Sequence, residues 1–184
     1  MSATPSKMLP LGTPAPEFAL PEVTRGTTLR SSELPAGQPL LVMFICRHCP
    51  FVVHVQRELA RLGRDYAGRA AIVAIGANDA SAYPADAPPS LAEMAAEQGF
   101  VFPFCYDETQ EVARAYGAAC TPDFFLFDTE RKLAYRGQLD DSRPGNGKPV
   151  TGSDLRAALD ALLAGQRPDA AQHASIGCNI KWKA

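Results

Sequence analysis

The sequence predicts an α/β domain with a central mixed sheet flanked by helices, and three observations carry that reading. Residues 40–45 and 71–76 are apolar at every position, as expected of strands covered on both faces. Between them, Val52, Val55, Leu59 and Leu62 recur at helical spacing, while Gln56, Arg57, Glu58, Arg61 and Arg64 fill the other side. Farther along, residues 123–127 and 132–138 read as two strands of a hairpin around a turn at 128–131. Strand, helix and strand in succession imply a parallel pair joined by a right-handed crossover.

The remaining elements follow in order. Residues 1–16 hold four prolines and read as an extended arm. Short strands or a hairpin are expected at 18–20 and 23–29, and Ser31 caps a single turn before Pro35. Residues 50–66 form the first helix, whose early Pro50 is tolerated because the first turn has few amide donors to satisfy. Residues 78–89 are a long polar, proline-bearing loop, and loops of that length usually have a role. A helix follows over 90–98, closed by Gly99, then a short apolar segment at 102–106 and a helix over 107–116 started by Asp107. Residues 140–152 are a loop dense in Asp, Ser, Pro, Gly and Asn. Ser153 or Thr151 caps the last helix, 154–164. The tail alternates, with Ile176, Cys178, Ile180 and Trp182 expected on one side. The expectation is one domain over 1–184, with the arm at 1–16 and a docked tail at 166–184.

Bulk properties narrow the function. The 184 residues are 46% hydrophobic and 21% charged, enough for a substantial core, and the net charge of −2 with no basic stripe argues against a nucleic-acid partner. No continuous apolar stretch at the N-terminus suggests a leader or anchor, so a cytoplasmic location is expected, with no membrane partner. In that compartment the five cysteines would stay mostly reduced, and a closely spaced pair points to redox or metal chemistry.

That pair is Cys46-Arg47-His48-Cys49, placed where the apolar strand gives way to the helix. Amide N–H groups and the positive end of the helix dipole favour a thiolate there. In the redox reading Cys46 attacks a disulfide and Cys49 resolves the mixed disulfide, with Arg47 and His48 lowering the Cys46 pKa. In the metal reading Cys46, Cys49 and His54 supply three ligands, but the fourth position of that spacing is Leu59, and His173 and Cys178 lie far off in the tail. The bland reading makes both thiols core residues. Redox is the favoured reading, with no metal and no cofactor.

At this point the residues resemble a known family. The Cys46-Arg47-His48-Cys49 motif after an apolar strand, with Thr121-Pro122 ahead of a hairpin, resembles the thioredoxin superfamily. More narrowly, residues 12–18, 48–51, 106–111, 121–128 and 177–182 resemble its redoxin (AhpC/TSA-like) branch. The resemblance implies a thioredoxin-like fold, a cis peptide at Thr121-Pro122 facing the dithiol, and pairing of the Thr121 backbone with a substrate strand. It also implies protein or small-molecule disulfide substrates and an electron donor such as a thioredoxin or glutathione system. Thr121, Pro122 and Asp123 are then the substrate-binding candidates.

Departures from the pattern matter as well. Thioredoxins carry Trp just before the first cysteine and a buried acid six residues before it; here those positions are Ile45 and Leu40. Asp123 and His48 substitute for that proton acceptor by position only, and the plainer reading of Asp123 is a residue capping the strand end. Peroxiredoxins share the fold, but aligned on Cys49 their Thr position is Cys46 and their Pro position is Val42. Peroxidase activity is therefore the rival reading, and a non-catalytic scaffold that binds a partner through its loops is a third. Cys105 is expected in the core, and Cys120 and Cys178 are auxiliary redox candidates. The topology should place the 78–89 and 139–150 loops around the dithiol, giving Asp79, Asp140, Asp141 and Arg143 access to a substrate.

Overall fold

The computed structural model describes residues 3–184; Met1 and Ser2 of the N-terminal arm lie outside the described residues. In chain order the strands and helices are β1 (Ala3–Pro5), β2 (Ala19–Glu22), β3 (Thr27–Arg30), β4 (Leu40–Phe44), α1 (Pro50–Asp65), β5 (Ala71–Gly76), α2 (Pro88–Gln98), β6 (Phe104–Tyr106), α3 (Glu111–Ala115), β7 (Cys120–Thr121), β8 (Asp123–Phe127), β9 (Leu133–Tyr135), α4 (Ser153–Leu163) and β10 (Ile176–Asn179). Single 3-10 turns occupy Ser31–Glu33 and Pro84–Asp86.

Seven strands form the central sheet in the order β3-β2-β6-β5-β4-β8-β9. β4 pairs parallel with β5 and β5 with β6, while β8 runs antiparallel to β4, so the sheet is mixed as expected. The unbroken apolar runs of β4 and β5 follow from burial on both faces. Leu41, Met43 and Ile45 pack with Val52, Val55, Leu59 and Leu62 of α1. Leu40, Val42 and Phe44 alternate onto the other face with Phe125, Phe127 and Tyr116. There the Tyr116 ring meets Phe44, Phe125 and Phe127 edge-on at 5.6–5.9 Å between centroids, a favoured aromatic geometry.

Several expected elements are shorter, for local reasons. The helix expected over 107–116 is only α3, because the buried Asp107 carboxylate takes the Ala113 N–H and Gln110 sits at φ 63°. The returning hairpin strand stops at Tyr135: the register shifts at Leu126/Phe127, and the Arg136 and Gln138 amides bond to Gln172 and His173 of the tail instead. Gly152 is the N-cap of α4, in place of Ser153 or Thr151, while the Thr151 hydroxyl accepts the Ser153 N–H at 3.3 Å and Asp140 takes the Thr151 and Gly152 N–H groups at 2.7 Å each.

A second sheet, β1-β10-β7, ties both ends of the chain to the body. In it Cys178 pairs with Thr121 on one side and Ala3 on the other. The expected tail alternation holds at its centre only: Cys178 and Ile180 are buried, whereas Ile176 and Trp182 are each 37% exposed. Gly177 turns inward in their place. Among the described residues, no helix is long and apolar enough to cross a membrane.

Candidate active site

The site forms where β4 ends. Ile45 continues the ladder by donating its N–H to Ile75, after which Cys46, Arg47 and His48 turn away from the sheet. Cys49 is the N-cap of α1, and the Val52 and Val53 amides donate to its carbonyl at 3.0 Å. The helix therefore begins at the second thiol of the motif. Facing it, Thr121-Pro122 is cis. Thr121 touches both thiols: its Oγ1 lies 3.2 Å from Cys46 Sγ, and its carbonyl oxygen accepts from Cys49 Sγ at 3.1 Å. The two thiols also hydrogen-bond to each other, and Cys178 reaches Cys49 from β10. All five cysteines are buried thiols, Cys46 and Cys49 being 1% and 0% exposed.

Arg47 and His48 do not stabilise the Cys46 thiolate, contrary to expectation. The Arg47 guanidinium turns to α2, where it donates to the Ser90 carbonyl and pairs with Glu93 at 2.7 Å and Glu97 at 2.9 Å. His48 Nδ1 lies 2.5 Å from Asp86 Oδ2 without lining up a hydrogen bond, and the His48 ring stacks on Tyr83. Asp86 is the residue sequence reasoning missed. It is 1% exposed, accepts the Arg47 and His48 backbone N–H groups on Oδ1 at 2.8 and 3.3 Å, and takes the Asn78 amide on Oδ2 at 2.8 Å. The available signal was the length of the 78–89 loop, which carries this acid back to the motif over about 40 residues.

The electrostatics divide the pair. The Cys46 thiol is pushed up, first because it donates its hydrogen bond to Cys49, then by burial, then by the Asp86 charge. Cys49 is held down at about 5, by the hydrogen bond from Cys46 first and against its burial, with further help from Cys178, the Val52 amide and Thr121. The Thr121 carbonyl oxygen opposes this, since it can only accept and so favours a protonated Cys49. More donors converge on Cys49, and a full negative charge stands beside Cys46. These groups favour the negative charge on Cys49 over Cys46, and a second deprotonation of the pair is resisted.

The other candidates divide cleanly. Asp123 is 1% exposed and in register with Phe125 and Phe127 on the sheet face away from the dithiol, where it accepts the Ala119 N–H at 3.0 Å. Burial pushes its carboxyl up to about 7. It is not beneath the thiols. Cys120 is buried with its thiol toward the Pro122 carbonyl at 3.6 Å, and burial raises it as well. Cys105 is in the core, as expected.

The 78–89 loop touches the motif through Asp86, and the 139–150 loop lies beside α1 and Pro122, but their charged residues are occupied. Asp140 is 1% exposed and closes its own loop through the Ser142, Thr151 and Gly152 amides. Arg143 donates to the Asp140 and Ser142 carbonyls and to Gln138. Asp141 pairs with Lys148 at the surface, and half-buried Asp79 accepts the Ser81 amide. His54 Nε2 lies 2.7 Å from Ser142 Oγ rather than among the thiols. Ligand atoms of Cys46, His48 and Asp86 do lie within 4.8 Å of one another. The Asp86 oxygens, however, are already met by three N–H donors, an arrangement that suits a carboxylate holding a loop rather than one holding an ion.

Comparison with known proteins agrees with this architecture. A crystal structure of an uncharacterized conserved protein from Geobacillus kaustophilus is 55% identical, with a TM-score of 0.97 over 100% of this chain and 97% of that one. A hypothetical protein from Sinorhizobium meliloti 1021 is 50% identical, with a TM-score of 0.96 over 98% and 99%. A thiol:disulfide interchange protein of the thioredoxin family from Chlorobium tepidum TLS, 20% identical, shares the fold with a TM-score of 0.64 over 85% of this chain and 99% of that one. No curated protein sequence matches the chain. The family model described as the AhpC/TSA family matches residues 11–136, and with the thioredoxin-like sheet, the chain belongs to the AhpC/TSA redoxin branch of the thioredoxin superfamily.

Proposed function

We propose that this chain is a thiol-disulfide oxidoreductase whose working pair is Cys46 and Cys49. The observation that carries this reading is the contact of both thiols with each other and with Thr121, immediately before the cis proline. A structural pair of core cysteines would not need a shared, stabilised negative charge. Cys46 is the sulfur that meets a substrate, because it adjoins His48, whose side chain is 21% exposed and whose ring stacks on the 38% exposed Tyr83. Its proton passes to the Cys49 thiolate along their hydrogen bond. The Cys46 thiolate then attacks one sulfur of a substrate disulfide and expels the other. Cys49 then displaces the substrate sulfur from Cys46, and its proton goes with the departing sulfur, leaving a Cys46–Cys49 disulfide and a reduced substrate. A thiol donor of the thioredoxin or glutathione class resets the pair.

The test is reduction of insulin disulfides by the full chain in the presence of a dithiol, run beside hydrogen peroxide consumption. Insulin reduction that disappears in Cys46→Ser and in Cys49→Ser is the expected result. Peroxide turnover without insulin reduction would instead identify a thiol peroxidase, and inactivity in both assays a binding scaffold.

A further inference from the structure

The C-terminal strand holds a third thiol at the dithiol, and no step above uses it. β10 pairs with β7 in the register Cys178 to Thr121, so Cys178 stands opposite the residue that touches both Cys46 and Cys49. The approach is unusually close. A Cβ on Gly177 would fall 2.0 Å from the Thr121 oxygen and 2.5 Å from its carbonyl carbon, so only glycine lets β10 lie against this peptide. Ser175 fixes the strand from the other end, donating its hydroxyl to the Pro122 carbonyl at 2.7 Å. Lys181 anchors it beyond, its N–H donating to Asn78 and its carbonyl accepting from Asp79 and Gln110. An extended peptide that pairs with β7 would present a cysteine to the dithiol in just this way, and β10 already occupies that edge.

We propose that Cys178 is a third redox thiol, delivered by β10 along the β7 edge, which exchanges with the Cys46–Cys49 disulfide through Cys49. In the exchange Cys178 loses its proton and its sulfur attacks Cys49 Sγ. The Cys49–Cys178 bond forms as the Cys46–Cys49 bond breaks, and the departing Cys46 sulfur keeps the electron pair and takes up a proton. One disulfide replaces another, with no net oxidation. Burial keeps the Cys178 thiol at about 12, so it stays protonated until the attack. Cys46, next to the partly exposed His48, is then a thiol again while the oxidising equivalent is stored beneath the tail. Cys120 on β7 is the competing acceptor, because it too is buried beside Cys49 and Cys178.

This inference rests on the dithiol reading, and peptide mapping of the full chain separates the two. Protein treated with oxidised glutathione is alkylated, digested and mapped for disulfides in the wild type, Cys46→Ser, Cys49→Ser and Gly177→Ala. In Cys46→Ser, glutathione first caps Cys49 and is then displaced by Cys178, so the Cys49–Cys178 linkage is expected to dominate. It should be lost in Cys49→Ser and fall several-fold in Gly177→Ala, which keeps every thiol but pushes β10 off β7. A Cys46–Cys49 disulfide in the wild type with Cys178 alkylated in every variant overturns this inference alone. So does a Cys49–Cys120 linkage in Cys46→Ser, or a cross-link yield unmoved by Gly177→Ala. Absence of any linkage at Cys46 or Cys49 in the wild type overturns the dithiol reading and this inference together.

Discussion

Asp86 shows how one buried carboxylate can act on a site from outside its motif. It satisfies the Arg47 and His48 amides, which leave the strand before any helix begins, and it sets a negative charge beside Cys46. In Asp86→Asn the new amide can still accept the backbone N–H groups, but its NH2 meets the NH2 of Asn78. We expect a loss of about 1–3 kcal/mol in urea unfolding from this donor-donor contact. With the charge gone, Cys46 should ionise more easily and its alkylation should begin at lower pH than in the wild type; an unchanged profile would remove Asp86 from the site's electrostatics. The division of charge between the thiols is testable in the same terms. Ultraviolet thiolate absorbance should show one step near pH 5, retained in Cys46→Ser, where a hydroxyl still donates to Cys49. In Cys49→Ser that step should vanish, whereas a step that survives there would place the resting thiolate on Cys46. The motif spacing made the two cysteines legible, but not which carries the charge, because the deciding groups are Thr121, Cys178 and Asp86, all remote in sequence.

At the scale of elements, β4, α1 and β5 were legible because each is governed by one period and one or two apolar faces. Glu58 was not. By helical spacing it belongs with the polar side of α1, yet it is 5% exposed and bridges α1 to α4, accepting from Arg156 Nε at 2.7 Å and Arg61 at 2.7 Å. A pattern within one helix does not say that a second helix will cover its polar flank with an arginine. Removing one partner of a buried pair strands the other, and because Arg156 keeps Asp65 at 2.9 Å, the cost of Glu58→Ala should sit near the low end, about 3 kcal/mol. Chemical denaturation of Glu58→Ala, Arg156→Ala and the double variant checks it. Additive effects would mean that the pair is not coupled. Loop 140–152 misled for a related reason: its acids and Arg143 look available as sequence, but Asp140 and Arg143 satisfy the loop's own backbone.

Over the whole molecule, the sheet of β1, β10 and β7 brings residues 3–5 and 176–179 together beside Thr121. Alternation at 176–182 signalled an extended tail, but not which edge it joins, and the close fit of Gly177 against Thr121 rather than apolar burial sets its register. Linkage then gives a whole-chain prediction. Cys49 is lowered from 9.0 to about 5 on folding, so its contribution to the stability of the reduced chain is fully present above pH 9 and is lost as pH falls through 5. Cys46 is raised, so above pH 9 the unfolded reduced chain sheds a proton that the folded one keeps, and stability falls again. The oxidised chain has neither thiol, and the short loop closed by its disulfide adds an offset that does not depend on pH. The gap in melting temperature between reduced and oxidised protein should therefore widen in favour of the reduced form from pH 5 to 9 and narrow beyond it. The same stabilised thiolate should bring the reduction potential of the pair above the about −270 mV of thioredoxin, measured against a glutathione buffer. A gap that stays flat across pH 5–9 would mean that the folded structure does not hold the thiolate, and the potential should then fall back to the range of an unperturbed dithiol.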